Sequence, residues 1–507
     1  MRYLILCLAP VFVGASASAS ADVVRIDTGE ISGVAGYVDG IRVFKGIPYA
    51  QPPVGNLRWR APRPPLAWQG VRAADKFGPA CMQTPYPEGS PYRAESPRRI
   101  SEDCLYLNVW TPAKSNRERH PVLVWIHGGG FTRGAGSLGL YDGEELAKSG
   151  AIVVTINYRL GIFGFFAHPE LSKESDRNAS GNYGILDQIA ALEWVQKNIG
   201  VFGGDSKRIC IFGESAGSIS VNILTASPLA RGLFQRAIGE SGAAFSGLPT
   251  LASAEQQGVE IARQLGADSI AALRAKSAAD LMKARADALR PVVDGWLLPE
   301  PISAIYAAHR QNDVPLLIGS NADEGTEFTP AVVKPADFKA MAKRRFGDES
   351  PLFLKIYPAT DPDEARQSQA ELLRDQEIGW EMRTWARIQA KTSKSKIFAY
   401  YFSRVPPGPL GARLGAYHGA EIPYVFGHMN GQQLQDIDKA INNAITSYWA
   451  NFAAFGDPNH KDMLKWPAYH LDLELAMGFG QRIAQTEVAN KSGLDFLDAY
   501  FQRVGHW

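Results

Sequence analysis

A chain of 507 residues can bury a large core, and 45% apolar with 21% charged residues excludes a disordered, collagenous or coiled-coil protein. The 53 basic residues nearly cancel the 52 acidic ones. That balance gives no electrostatic footprint for nucleic acid, and no basic helix stands out for a membrane surface.

Residues 1–21 differ in kind from the rest. Arg2 precedes an apolar run from Tyr3 to Val13, and Gly14 to Ala21 alternate small residues before Asp22. A positive end, an apolar stretch and an A-x-A tail predict a secretory signal peptide cut after Ala21. The run, Cys7 included, is too short to span a bilayer. The protein is therefore expected to be exported, to a periplasm or to the medium, and residues 22–507 are expected to form a single domain with no transmembrane segment. In an oxidising compartment a disulfide persists. Cys81 and Cys104 flank a loop rich in Pro, Ser and charge, which a bridge between them would close. Cys210 sits in the apolar run Ile209 to Phe212 and reads as a small buried hydrophobe.

The proline-rich region before Pro121 reads as meander and loop. Short apolar runs then predict buried strands of a parallel sheet at Pro121 to Ile126, Ala151 to Tyr158, Arg208 to Phe212, Val314 to Gly319 and Lys396 to Phe402. Between the second and third, Asn182 can cap a helix in which Ile185, Leu186, Ile189, Leu192 and Val195 recur at helical spacing. Strand, helix, strand makes a βαβ unit, so the fold class is α/β with right-handed crossovers. Ala- and charge-rich stretches from Ser253 to Leu289 and from Ala331 to Ala390 read as helices covering or inserted into that sheet.

The strongest chemical signal is Gly213-Glu214-Ser215-Ala216-Gly217, after one predicted strand and before helix-like Ser218 to Leu224. A G-x-S-x-G nucleophile elbow needs this context, because its serine sits on a sharp turn that aims the hydroxyl off the sheet. Acyl transfer also needs donors for an oxyanion. The glycines of Gly128-Gly129-Gly130, after the strand Pro121 to Ile126, leave N–H groups bare. With the N–H after the nucleophile, this assigns Gly129, Gly130 and Ala216 to an oxyanion hole. The base must be a histidine after Ser215. Of the nine histidines, His418 stands in a Gly-flanked loop after a predicted strand, with His428 its nearest competitor on position. For the acid, Asp323 and Glu324 follow the strand Val314 to Gly319 equally well.

At these residues the sequence resembles the type-B carboxylesterase family, which includes the cholinesterases. The likeness rests on Phe44 to Ala50, Ser101 to Asn108, Gly128 to Gly130, Asn157-Tyr158-Arg159, Gly181-Asn182, Leu186-Asp187-Gln188, Gly203-Gly204-Asp205, Gly213 to Gly217, Asn321 to Gly325 and His418-Gly419. It implies an α/β-hydrolase fold, with a mostly parallel central sheet, flanking helices and helical insertions. It assigns the acid to Glu324 and the base to His418, and makes Ser241 a buried serine bonded near the triad. It also implies a Cys81–Cys104 disulfide and buried ion pairs Arg58–Glu102 and Arg159–Asp187.

Departures from the family narrow the substrate. Cholinesterases hold a quaternary ammonium on a Trp in the loop between the paired cysteines. Here Met82 to Asp103 contains no Trp, only Tyr86 and Tyr92, and the position three after the acid is Glu327 rather than an aromatic. This argues against choline esters, and Glu327 is left to face a polar or cationic group or simply solvent. Phe131 is expected to wall the pocket. The expected function is carboxylic ester hydrolysis of a small-molecule substrate through an acyl-enzyme, with no metal or cofactor. The alternatives are a hydrolase of amides or thioesters, and a non-catalytic recognition module on the same fold.

Overall fold

The computed structural model describes residues 22–88, 90, 92–284, 289–429, 433–487 and 490–505, so the expected signal peptide, residues 1–21, lies outside the described residues. A sheet of 13 strands runs through the molecule. Its parallel part passes from Ile152–Ile156 through His120–Ile126, Gly204–Glu214, Arg236–Glu240, Leu316–Asn321 and Ile397–Phe402 to Leu475–Phe479. All five predicted strands are present, each within a few residues of its expected bounds.

Side-chain alternation explains why these runs are apolar throughout. Val122, Val124 and Ile126 enter one core, while Leu123 and Trp125 enter the other. The first core takes Ile185, Ile189, Leu192 and Val195 from the helix Tyr183–Asn198. The second takes Ile441, Ile445, Trp449 and Phe452 from the helix Asp436–Phe455. Helices thus cover both faces, as a mostly parallel sheet requires.

Three differences from the sequence reading have physical causes. The meander before Pro121 contains the strands Asp22–Ile26, Gly29–Ala35, Arg42–Pro48 and Tyr106–Thr111, which extend the sheet in antiparallel fashion. Asn182 does occupy the helix cap position, but its side chain makes no capping bond. Its Nδ2 donates to Val292 O and Asp294 Oδ2 instead. The two helical stretches are subdivided. The first holds Leu251–Gln264, Ile270–Ala275 and Ala278–Leu281, with residues 285–288 outside the described set. The second holds Pro335–Phe346, Ser350–Ile356, Pro362–Leu373 and Trp380–Thr392.

Cys81 and Cys104 form a disulfide across a separation of 23 residues, a closure that stabilises by roughly 3 kcal/mol on loop-entropy grounds. Cys210 is a buried free thiol, and burial pushes its pKa up. The bidentate pairs Arg58–Glu102 (2.7 and 2.5 Å) and Arg159–Asp187 (both 2.7 Å) are buried and pin loops to the sheet. Among the described residues no helix is long and apolar enough to cross a membrane.

Candidate active site

The strand Gly204–Glu214 ends at Ser215, which caps the helix Ala216–Ala226. Ser215 has φ 56° and ψ −122°, a backbone state that a side chain adopts only under constraint. The constraint is visible. Ser215 N donates to Glu240 O at 2.8 Å. A Cβ at Gly217 would lie 2.0 Å from Ile126 O, and one at Gly213 would lie 2.6 Å from the same oxygen. Only glycine permits strand and helix to approach this closely.

The segment Gly128–Gly130 leaves the strand His120–Ile126 and folds over Ser215. A Cβ at Gly128 would stand 3.1 Å from Ser215 Cβ. Gly129 and Gly130 have positive φ, 102° and 62°. The N–H groups of Gly129, Gly130 and Ala216 bond to no other described residue. Phe131, expected as a pocket wall, is instead buried and packs edge-on against Phe165. Neither ring is among the residues that line the cleft.

Glu324 lies just past the strand Leu316–Asn321 and is fully buried. Its Oε1 accepts from Ser241 Oγ at 2.5 Å and from Asn321 N at 2.7 Å. Its Oε2 faces His418 Nδ1 at 2.6 Å. Asp323 points elsewhere, accepting from Ala416 N at 2.7 Å and so fixing the chain that leads to His418. His428 is removed from the site, with Nε2 bonded to Asp142 O at 2.5 Å. Ser215, Glu324, His418, Ser241, Gly129, Gly130 and Ala216 are thereby gathered at the carboxyl ends of adjacent strands, where open α/β sheets bind ligands.

Four groups around His418 had no signal of their own in the sequence. Glu214 occupies the variable position of the serine motif, and its Oε1 stands 3.1 Å from His418 Nε2. No hydrogen bond among the described residues joins Ser215 Oγ to that nitrogen. Tyr92, in the disulfide loop, donates its hydroxyl to His418 O at 2.5 Å. Glu421 bonds Asn321 Nδ2, and Glu240 accepts from Trp449 Nε1 at 2.8 Å. Burial raises the pKa values of Glu214, Glu240 and Glu421; neighbouring carboxylates add to the rise, and at Glu214 the His418 imidazole opposes it. Burial opposes a charge on His418, but Glu214 and Glu324 outweigh it and raise the imidazole above its ordinary value.

A cleft of about 640 Å³ opens over these groups, with Tyr86, Tyr92, Tyr141 and Phe328 as aromatic walls and Glu327 beside them. Ser215 and His418 lie on its floor. A second groove of about 340 Å³, near Trp59, Arg177 and Trp296, contains neither residue.

Fold and cleft define an α/β-hydrolase, and comparison with known proteins gives its class. A family profile described as Carboxylesterase family matches residues 20–494. The chain belongs to that family and is a carboxylic ester hydrolase. It is 38% identical over 488 residues to the fumonisin B1 esterase of Sphingopyxis macrogoltabida, covering 91% of this chain and 86% of the relative. It is 39% identical over 458 residues to the para-nitrobenzyl esterase of Bacillus subtilis (strain 168), covering 85% and 90%. A solved PNB esterase structure superposes with a TM-score of 0.79 at 35% identity, covering 93% of this chain and 99% of that one.

Proposed function

We propose that the protein cleaves carboxylic esters by two acyl transfers through Ser215, His418 and Glu324. His418 Nε2 takes the Ser215 proton as Oγ attacks the ester carbonyl. The oxyanion sits on the N–H groups of Gly129, Gly130 and Ala216. Nε2 then protonates the leaving alcohol, and the acyl group stays on Oγ. Water enters, gives a proton to Nε2 and attacks the acyl carbon, and the collapse releases the acid and restores Ser215. Glu324 holds the imidazole tautomer with its proton on Nδ1. Ser241 and Asn321 N hold Glu324. The observation that carries this reading is the 2.6 Å contact between Glu324 Oε2 and His418 Nδ1, with His418 and Ser215 lining the same cleft.

The catalytic unit is proposed to be residues 22–507, exported after removal of residues 1–21 to a compartment where the disulfide persists. The missing Trp in the loop Met82 to Asp103 and the carboxylate at position 327 argue against choline esters. The named relatives act on fumonisin B1 and para-nitrobenzyl compounds, so bulky esters fit this cleft as a class.

The test is turnover of p-nitrophenyl acetate, butyrate and octanoate beside matched p-nitroanilides, followed by titration with diethyl p-nitrophenyl phosphate. Esters should turn over and anilides far less, and one equivalent of phosphate should modify the peptide bearing Ser215. Absence of ester turnover by the folded, disulfide-bonded protein, or a label on another residue, refutes the mechanism.

Glu214 adds a pH signature. Only neutral His418 accepts the Ser215 proton, so kcat/KM rises with pH through the imidazole pKa of the free enzyme. The Glu214 carboxylate favours the imidazolium and holds that limb at higher pH. Glu214→Gln should therefore move the rising limb to lower pH. A limb that stays in place or moves upward refutes this role.

A further inference from the structure

The cleft carries a charge pattern that ester hydrolysis alone does not require. Its lining includes the carboxylates Glu88, Glu214 and Glu327 and one guanidinium, Arg133. Arg133 is committed to protein groups, two in the disulfide loop and one beside it in its own loop. Nη2 donates to Thr84 Oγ1 at 3.1 Å, Nε to Pro85 O at 3.3 Å and Nη1 to Thr132 Oγ1 at 3.4 Å. The carboxylates are not matched in this way. Glu214 is buried, and its Oε1 stands 3.1 Å from the His418 imidazole and accepts no hydrogen bond among the described residues. Glu327 Oε2 is buried and accepts no hydrogen bond among the described residues. Burial raises the Glu327 pKa, His418 and Arg413 lower it, and Glu324 raises it. A carboxylate that loses water without gaining a donor is destabilising, and a donor arriving with a ligand relieves it.

Position tells which part of the substrate meets Glu327. His418 gives its proton to the leaving alcohol, so the alcohol lies beside the imidazole. Phe328 packs against that imidazole, ring to ring at 5.6 Å, and Glu327 precedes it in the loop after Glu324. On the esterase reading above, we infer that Glu327 is the specificity residue for the alcohol portion and selects esters whose alcohol carries a primary ammonium group. A primary ammonium offers N–H donors and charge to the carboxylate, while the rings of Tyr86, Tyr92 and Phe328 offer their faces. A quaternary ammonium has no N–H and gains only the weaker part of this recognition.

The experiment compares three butyrate esters by acid release at pH 7.5: those of 4-aminobutan-1-ol, of its neutral isostere pentan-1-ol, and of 4-(trimethylammonio)butan-1-ol. Wild type should favour the aminobutyl over the pentyl ester by about tenfold in kcat/KM, the scale of one charge-assisted hydrogen bond. The quaternary ester should fall between them. Glu327→Gln, which keeps the shape and removes the charge, should bring the aminobutyl-to-pentyl ratio toward one. Calorimetry with pentylammonium and pentan-1-ol reads the same preference without turnover. If pentylammonium binds more tightly in wild type but not in E327Q while no ester is hydrolysed, ammonium recognition by Glu327 stands and the esterase mechanism falls. A wild-type ratio at or below one, or a preference that survives in E327Q, overturns the inference.

Discussion

Ser215→Ala is expected to lower kcat for p-nitrophenyl butyrate by about 10⁶-fold, the loss typical of removing a triad nucleophile. Without Oγ there is no acyl-enzyme, and His418 has only water to activate in a geometry built for another atom. The fold should survive the change. The elbow is held by backbone, through Ser215 N to Glu240 O at 2.8 Å and through the glycine contacts at Ile126 O. Among the described residues Ser215 Oγ makes no hydrogen bond that would contribute to packing. Equal melting temperatures for wild type and variant, beside the lost activity, would locate the effect in the chemistry. Retention of more than about 1% of the activity would remove Ser215 from the mechanism.

Glu324→Gln should lower kcat by about 10⁴-fold, since the imidazole is then held in the wrong tautomer. The argument comes from counting donors. Glu324 accepts three hydrogen bonds, from Ser241 Oγ, from Asn321 N and from the Nδ1 side of His418. A carboxamide has one oxygen and one NH₂. If the oxygen faces His418, the NH₂ confronts the N–H of Asn321. If the NH₂ faces His418, Nδ1 must give up its proton and Nε2 then carries it, so Nε2 has no lone pair left to take the proton of Ser215. The buried conflict should also reduce stability, by about 1–3 kcal/mol. Asp323→Asn keeps an acceptor for Ala416 N and should cost far less activity. Equal losses in the two variants would refute the assignment to Glu324.

The elbow at Ser215, the proposed nucleophile, was legible in the sequence because its constraints are local. A buried strand, two close-approach glycines and a helix start all fall within a dozen positions. The choice between Asp323 and Glu324 was not local. Both follow the same strand, and the decision depends on which carboxyl meets a loop nearly a hundred residues away. The family resemblance supplied that information, and the geometry agrees with it. Glu214 was hidden for a related reason. Its motif position is free in pattern terms, and only the fold brings His418 to it. The strands before Pro121 were obscured by glycine and by exposed alternate positions, which break the apolar runs that mark central strands. The antiparallel edge therefore emerged from pairing partners rather than from composition.

The cysteine bridge has a consequence for activity. Its loop carries Tyr86 and Tyr92 into the cleft wall, and Tyr92 holds the backbone of His418. Gln83 also ties the loop to Gly134 through two hydrogen bonds, so the bridge is one of several fastenings on that wall. Reducing it reopens the loop entropy of the unfolded chain and removes the one covalent fastening beside the tyrosine that holds His418. A reductant is therefore expected to lower the melting temperature and, through the loosened wall, the turnover as well.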